Sequence, residues 1–181
     1  MSYADRYGSR RGIFRHVVAR AGGLFGAYSR LKEIRWEDIT RLVFVCKGNI
    51  CRSPMAEAIV RARLLRPGMQ VASAGLAAMR GFPIDPKAQT ALLSRGYDGG
   101  EHIARQATKL LMQQSDLVLA MEQRQAAAVL ALCPTLRGRV LMLSHWEDGT
   151  DIEDPYGRDQ RAFDVAFERI ESCIRDWRTK L

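Results

Sequence analysis

The chain has 181 residues, of which 47% are hydrophobic and 27% are charged, which is typical of one soluble globular domain. Its formal net charge of +8 favours anionic partners, but an aromatic share of 8% and the lack of a Lys/Arg run argue against a nucleic-acid binder. No apolar run approaches the roughly 20 residues that span a bilayer, and residues 1–12 do not resemble a signal peptide, so we expect a cytoplasmic protein.

Residues 1–38 are predicted to form a basic extension to a domain that covers residues 39–181. Residues 1–12 are predicted to be disordered, because their polar and basic side chains follow no apolar period. Residues 13–35 carry apolar side chains at helical spacing among basic ones, although three glycines weaken such a helix by about 1 kcal/mol each. This pattern raises the hypothesis that residues 13–35 bind an anionic membrane or a partner protein. The alternative is a helix packed on its own domain, or a disordered tail.

From Arg41 onward, runs of strand character alternate with runs of helix character. The strand-like runs are 41–46, 69–74, 116–121 and 139–143, and the helical runs are 53–65, 86–95, 105–113, 122–132 and 159–179. This alternation predicts an α/β fold, in which a four-stranded parallel sheet carries helices on both faces. In such sheets the functional site lies beyond the carboxyl ends of the strands, where Cys46, Ser73 and Met121 fall.

The segment 41–54 joins a strand, a tight loop and a helix start. An apolar run ends at Cys46, and it is followed by Gly48 and Asn49, which tolerate left-handed backbone angles. Loops of this kind point successive backbone N–H groups inward, and with the helix dipole they attract an anion and stabilise a thiolate. Arg52 adds a planar fork of donors that suits two phosphate oxygens. The segment therefore predicts a nucleophile and a phosphate site on one loop.

A second Cys-x5-Arg pair shows that this spacing alone carries little information. Cys133 and Arg139 have the same spacing, but they follow a helical run and precede a strand-like run. No helix N-terminus would then face Cys133, which we expect to be a small, partly buried residue without a catalytic role.

The four Cys and three His residues are not spaced as metal ligands. The chain has no Cys-x2-Cys pair, and His16, His102 and His145 lie far apart in sequence. The cysteines do not indicate a disulfide framework either. We therefore predict that the protein binds no metal and needs no cofactor.

The sequence VCKGNICRSP at 45–54 resembles the phosphate loop of the low-molecular-weight protein tyrosine phosphatases. The resemblance covers about residues 39–181 and continues through SAG at 73–75, HIARQ at 102–106 and DPY at 154–156. The HW pair at 145–146 is similar to the bacterial branch that partners tyrosine kinases of capsule and exopolysaccharide synthesis. The resemblance implies a Rossmann-like phosphatase domain, a phosphotyrosine protein as substrate and a bacterial tyrosine kinase as partner.

The resemblance also implies a role for each site residue. Cys46 would be the nucleophile, and Arg52 would hold the phosphoryl oxygens together with the loop N–H groups. Asp154 would be the general acid, although from the residues alone Asp151 and Glu153 rank almost equally with it. The other implied site residues are Lys47, Gly48, Asn49, Ile50, Cys51 and Ser53 around the phosphate, Tyr156 at the pocket mouth, and Ser73 and His102 behind Asn49.

Cys51 lies on the same loop as Cys46, and this predicts a reversible disulfide between the two thiols under oxidation.

The opposite wall of the pocket is less defined. Leu76, Ala78 and Met79 are small or flexible where eukaryotic relatives place a large aromatic side chain, so the strictness for phosphotyrosine stays open.

Two other functions stay open. Arsenate reductases share this loop and fold, but they relay oxidation through two further Cys near the third strand, and residues 117–124 contain none. A phosphotyrosine-binding module without turnover is the second alternative. The joint presence of Cys46, Arg52 and Asp154 argues against it.

Overall fold

The computed structural model describes residues 36–179, so the hypothesis about residues 13–35 concerns a segment outside the described range. Within this range there are four strands: β1 (Arg41–Cys46), β2 (Gln70–Gly75), β3 (Leu117–Ala120) and β4 (Val140–Met142). They pair in parallel in the order β2-β1-β3-β4. The α-helices are α1 (Arg52–Arg63), α2 (Pro86–Leu93), α3 (Lys109–Gln113), α4 (Gln123–Leu132) and α5 (Gln160–Trp177). Short 3-10 helices cover Trp36–Asp38, Pro134–Leu136 and Leu143–Trp146.

Strand β1 is buried on both faces because its side chains alternate between two helical layers. Val43 and Val45 join a core cluster with side chains of α3 and α4. Leu42 and Phe44 are fully buried and point to the opposite face. There α1 contacts β1 and β2, and it also packs with α2 and α5. The predicted four-stranded parallel sheet with helices on both faces is confirmed.

Helix α5 is the last element of the described part of the chain. Its predicted apolar stripe is buried, and it consists of Phe163, Phe167, Ile170, Ile174 and Trp177. The side chain of Asp159 caps the helix by accepting a hydrogen bond from the Ala162 N–H at 3.1 Å. This cap fixes the end of the acidic loop that precedes α5. Among residues 36–179, no helix is both long and apolar enough to cross a membrane.

The predicted helix over 105–113 begins later than expected. Residues 105–107 are extended instead, because the N–H of Gly75 donates to the carbonyl of Arg105 at 2.9 Å and the N–H of Ala107 donates back to Gly75 at 2.8 Å. The helix α3 begins at Lys109, after Thr108 caps it. Backbone pairing beyond the end of β2 therefore overrides the local helix propensity. It also brings Arg105 next to the loop that follows β1.

Candidate active site

The strand order places a crevice beyond the carboxyl ends of β1 and β3. Since β2 and β3 lie on opposite sides of β1, the direction of strand addition reverses there, which is where ligands bind in open α/β sheets. Cys46 ends β1 and Glu122 follows the end of β3 by two residues. The loop of residues 46–52, which joins β1 to α1, occupies this crevice.

The carbonyl groups of residues 46–51 all accept hydrogen bonds from other segments. The N–H groups of Leu76, Ala77 and Met79 donate to the carbonyls of residues 46, 47 and 48. Nε2 of His102 donates to the carbonyl of residue 49, and the N–H groups of Asp85 and Met55 donate to those of residues 50 and 51. These six distances are 2.7–3.2 Å. In a trans peptide the C=O and the next N–H point in opposite directions, so the N–H groups of residues 47–52 face the inside of the loop. The N-cap of α1, Cys51, offers no side-chain acceptor to them. The loop therefore forms a ring of donors that suits an anion.

Arg52 is a buried cation whose Nε has no acceptor among the described residues. Its Nη1 donates to Glu122 Oε1 at 2.8 Å and to the Ile152 carbonyl at 2.7 Å, and its Nη2 pairs with Asp154 Oδ2 at 2.8 Å. Its Nε is buried and has no acceptor among the described residues. Because a buried N–H without an acceptor costs free energy, this atom indicates a place for a ligand oxygen beside the loop.

The Cys46 sulfur receives two donors. The Asn49 N–H donates to Sγ at 3.3 Å, and Ser53 Oγ lies 3.0 Å from it. The Asn49 side-chain amide donates to the same Ser53 oxygen at 2.9 Å, so the Ser53 hydroxyl can direct its own proton to sulfur. Two hydrogen bonds can therefore reach the Cys46 sulfur.

Asn49 adopts φ = 58° and is the one described residue other than glycine with a positive φ. Gly48, which also tolerates left-handed backbone angles, does not have a positive φ. The Asn49 side chain donates to Ser73 Oγ at 2.8 Å and accepts from the Arg105 N–H at 2.8 Å. Asn tolerates this backbone region better than most residues, and its amide here ties the loop to β2 and to the segment 105–107.

Glu57 is a site residue absent from the prediction. Ser73 Oγ donates to Glu57 Oε2 at 2.6 Å, and His102 Nδ1 lies 4.0 Å from the same oxygen. Burial lowers the pKa of His102, and the Asn49 carbonyl and the Glu57 charge oppose this effect only in part. His102 is therefore neutral near pH 7, with its proton on Nε2 toward Asn49. The position of Glu57, one helical turn after Ser53, is the sequence signal that would have indicated it.

Glu122 is the second residue that the prediction lacks. Its Oε1 accepts from Arg52 and from Gln125 Nε2 at 2.6 Å, and its Oε2 contacts Arg124. Burial acts to raise the pKa of Glu122, but hydrogen bonds from Arg124 and Arg52, and their charges, hold it below its usual range. Glu122 is thus an ionised counter-charge to Arg52. Its position directly beyond the end of β3 could have indicated it.

The three acidic candidates are separated by their contacts. Asp151 accepts a hydrogen bond from the first residue of α4 at 2.8 Å, and Glu153 is exposed and pairs with a neighbouring arginine. Of the three, Asp154 alone contacts Arg52. Tyr156 follows it with its side chain exposed, and the Tyr156 N–H donates to Asp154 Oδ1 at 3.3 Å.

The remaining thiols differ from Cys46 in their surroundings. Cys51 is buried, and its burial, together with the charges of Asp85 and Cys46, strongly raises its pKa, so it stays protonated at neutral pH. Cys133 is fully buried in the core cluster at the end of α4, deeper than the partial burial expected from sequence. The four cysteines, including Cys173, are free thiols.

Comparisons with known proteins agree with this geometry. Residues 41–181 match the family described as low molecular weight phosphotyrosine protein phosphatase. This chain belongs to that family. The family prediction, including its bacterial branch, and the prediction of a phosphatase enzyme are confirmed.

Three relatives illustrate the family. The low molecular weight protein-tyrosine-phosphatase Wzb of Salmonella typhimurium is 36% identical over 76% of this chain and 91% of its own length. The structure of Vibrio vulnificus Wzb in complex with benzylphosphonate is 35% identical, with a TM-score of 0.75, and the match covers 79% of this chain and 99% of that one. A mutant YwlE arginine phosphatase with a phosphorylated active-site serine is 30% identical, with a TM-score of 0.71, over 77% of this chain and 94% of that one.

The burial of His102 predicts a pH dependence of stability. Because its pKa is lower in the folded protein than the ordinary 6.5, the unfolded chain binds more protons as the pH falls below about 6.5. His102 therefore favours the folded state above pH 6.5, and this contribution is lost as the pH falls through the lowered folded pKa. We expect His102→Asn to flatten the decline in unfolding free energy between pH 7 and pH 5, measured by urea denaturation at several pH values.

The matched control for that experiment is Tyr156→Phe, which changes an exposed side chain that makes no contact with His102. It should keep the wild-type slope. Parallel stability curves for wild type and His102→Asn would contradict the prediction.

Proposed function

We propose that this protein hydrolyses phosphotyrosine in proteins through a cysteinyl-phosphate intermediate. The proposal rests on the donors that converge around Cys46: the inward N–H groups of residues 47–52 and the buried Nε of Arg52, which has no acceptor among the described residues. Converging donors of this kind suit the three equatorial oxygens of a phosphoryl group during its transfer. The benzylphosphonate complex of one relative and the phosphorylated active-site serine of another support it.

In the first step, the Cys46 thiolate attacks phosphorus in line, and the bond from phosphorus to the tyrosyl oxygen breaks. Arg52 and the loop N–H groups hold the charge of the transferring group. Asp154, in its protonated form, gives its proton to the leaving tyrosyl oxygen. Its contact with Arg52 Nη2 at 2.8 Å supports this role, because it holds the carboxyl group beside the phosphoryl site.

In the second step, a water molecule attacks the cysteinyl-phosphate, and the Asp154 carboxylate takes a proton from that water. The bond from phosphorus to Sγ breaks, and Cys46 leaves as a thiolate. The Ser53 hydroxyl, 3.0 Å from Sγ, stabilises that thiolate and makes it a better leaving group.

The partner that we propose is an autophosphorylating bacterial tyrosine kinase of polysaccharide synthesis or export. The HW pair at 145–146 supports it through the resemblance to that branch of the family. In the fold this pair packs against α5: the Trp146 ring lies edge-on to the rings of His145 and Trp177, with centroid distances of 4.5 Å and 5.6 Å.

The four free thiols suit a reducing compartment, and we propose that the protein acts in the cytoplasm.

The main test is phosphate release from matched peptides that carry phosphotyrosine, phosphoserine or phosphoarginine, near pH 6. We expect turnover of the phosphotyrosine peptide alone and its loss in Cys46→Ser. The matched control is Cys133→Ser, which alters the other Cys-x5-Arg pair in the core and should retain turnover per folded molecule, with folding checked by circular dichroism.

Other results of that assay would redirect the proposal. Faster release from phosphoarginine would favour the activity named for the YwlE relative. No turnover of any peptide by folded, reduced protein would contradict the proposal and favour arsenate reduction or phosphotyrosine binding without turnover.

Replacement of Asp154 should identify the general acid. We expect Asp154→Asn to lower kcat for a phosphotyrosine peptide by about 10²–10⁴-fold. The loss should be smaller for para-nitrophenyl phosphate, because nitrophenolate leaves readily without a proton. Asp151→Asn and Glu153→Gln are the matched controls and should change kcat far less. An equal loss for both kinds of substrate would assign Asp154 a structural role instead.

We also propose that Cys51 protects Cys46 from irreversible oxidation. Peroxide would convert the Cys46 thiolate to a sulfenic acid, and the Cys51 sulfur would displace water from it, giving a disulfide that thiols reduce. Both sulfurs lie buried on one loop. After peroxide treatment and reduction, we expect Cys51→Ser to recover much less activity than wild type, measured with an aryl phosphate. Full recovery of Cys51→Ser would refute the proposal.

A further inference from the structure

One side of the active-site mouth is formed by the 46–52 loop and the segment 76–80, which lie side by side. The N–H of Ala77 donates to the Lys47 carbonyl at 2.9 Å, and the N–H of Met79 donates to the Gly48 carbonyl at 3.0 Å. A Cβ atom added at Gly75 would come within 2.7 Å of the Lys47 carbonyl oxygen, so the two segments approach closely. This backbone pairing places Lys47 and Arg80 on the same side of the site.

Both side chains are exposed, and neither makes an ion pair or a side-chain hydrogen bond within residues 36–179. Two other arginines near the site are already paired with acids. Arg124 contacts Glu122, and Arg158 contacts Glu153 at 3.1 Å. Lys47 and Arg80 therefore form a cationic rim whose charge is not compensated by a neighbouring carboxylate.

The other side of the mouth carries carboxylates that are already paired. In the acidic loop, Asp154 pairs with Arg52, and the exposed Glu153 pairs with Arg158. A peptide that places its phosphotyrosine over Cys46 thus meets an uncompensated cationic side and a side on which the charges are paired. Such asymmetry discriminates between peptides of different charge and between the two directions in which a peptide could lie.

We propose that the cationic rim of Lys47 and Arg80 selects substrates with an acidic residue next to the phosphotyrosine. This inference rests on the proposed phosphotyrosine hydrolysis and adds its sequence preference. A flanking carboxylate gains an ion pair at the rim, and a flanking basic residue loses by repulsion. Because exposed ion pairs are screened by water, the effect of each cation is about two- to fivefold.

The test compares two phosphotyrosine peptides that differ only in flanking residues, one with Asp and Glu and one with Gln and Asn. We measure the ratio of their kcat/KM values for wild type, Arg80→Ala, Arg80→Lys and the double variant Lys47→Ala with Arg80→Ala. Wild type should favour the acidic peptide several-fold, mainly through KM. The ratio should fall about two- to fivefold in Arg80→Ala, approach one in the double variant, and be largely kept in Arg80→Lys.

The matched control is Arg137→Ala, since Arg137 is also exposed and lies before β4, at the opposite edge of the sheet. It should keep the wild-type ratio. Raising the salt concentration should lower the wild-type ratio and leave that of the double variant unchanged.

Two results would overturn the inference while leaving the proposed function intact: equal kcat/KM for both peptides in wild type, or an unchanged ratio in the double variant. A wild-type enzyme that hydrolyses neither phosphotyrosine peptide would overturn both proposals.

Discussion

The hydrogen bonds of the Asn49 side chain are the constraint on which the site depends. They join the 46–52 loop to Ser53 on α1, Ser73 on β2 and Arg105 in the extended segment beyond it. A left-handed backbone at a residue other than glycine costs about 1–3 kcal/mol, and this network offsets that cost. With Asn49 held in this conformation, the loop carbonyls bond to neighbouring groups, the N–H groups of residues 47–52 face the inside of the loop, and the Asn49 N–H reaches the Cys46 sulfur.

The buried charge of Arg52 couples this loop to two distant segments. Glu122, beyond β3, and Asp154, in the acidic loop, both contact its guanidinium. The pair with Glu122 is buried on both sides, and removing one partner of such a pair costs about 3–5 kcal/mol. The same contacts therefore serve stability and position, because they fix the guanidinium and bring the proposed general acid to the proposed phosphoryl site.

Local sequence predicts the elements well where backbone periodicity and turn chemistry agree. The strand ending at Cys46, the helix after it and the buried stripe of α5 all follow from such patterns. Residues 105–107 show where this fails. Their sequence favours helix, but hydrogen bonds to Gly75 hold them extended, and that partner lies thirty residues away. A local pattern contains no information about such pairing.

The sequence by itself determined the fold class and the presence of a thiol, an arginine and a helix start on one loop, because these depend on neighbours within about ten residues. The tertiary structure alone decided which acid meets Arg52, and that Glu57 and Glu122 belong to the site. It also decided that Lys47 and Arg80 share one side of the mouth. The physical reason is that ion pairs and hydrogen bonds act over about 3 Å, and folding sets those distances between residues far apart in the chain.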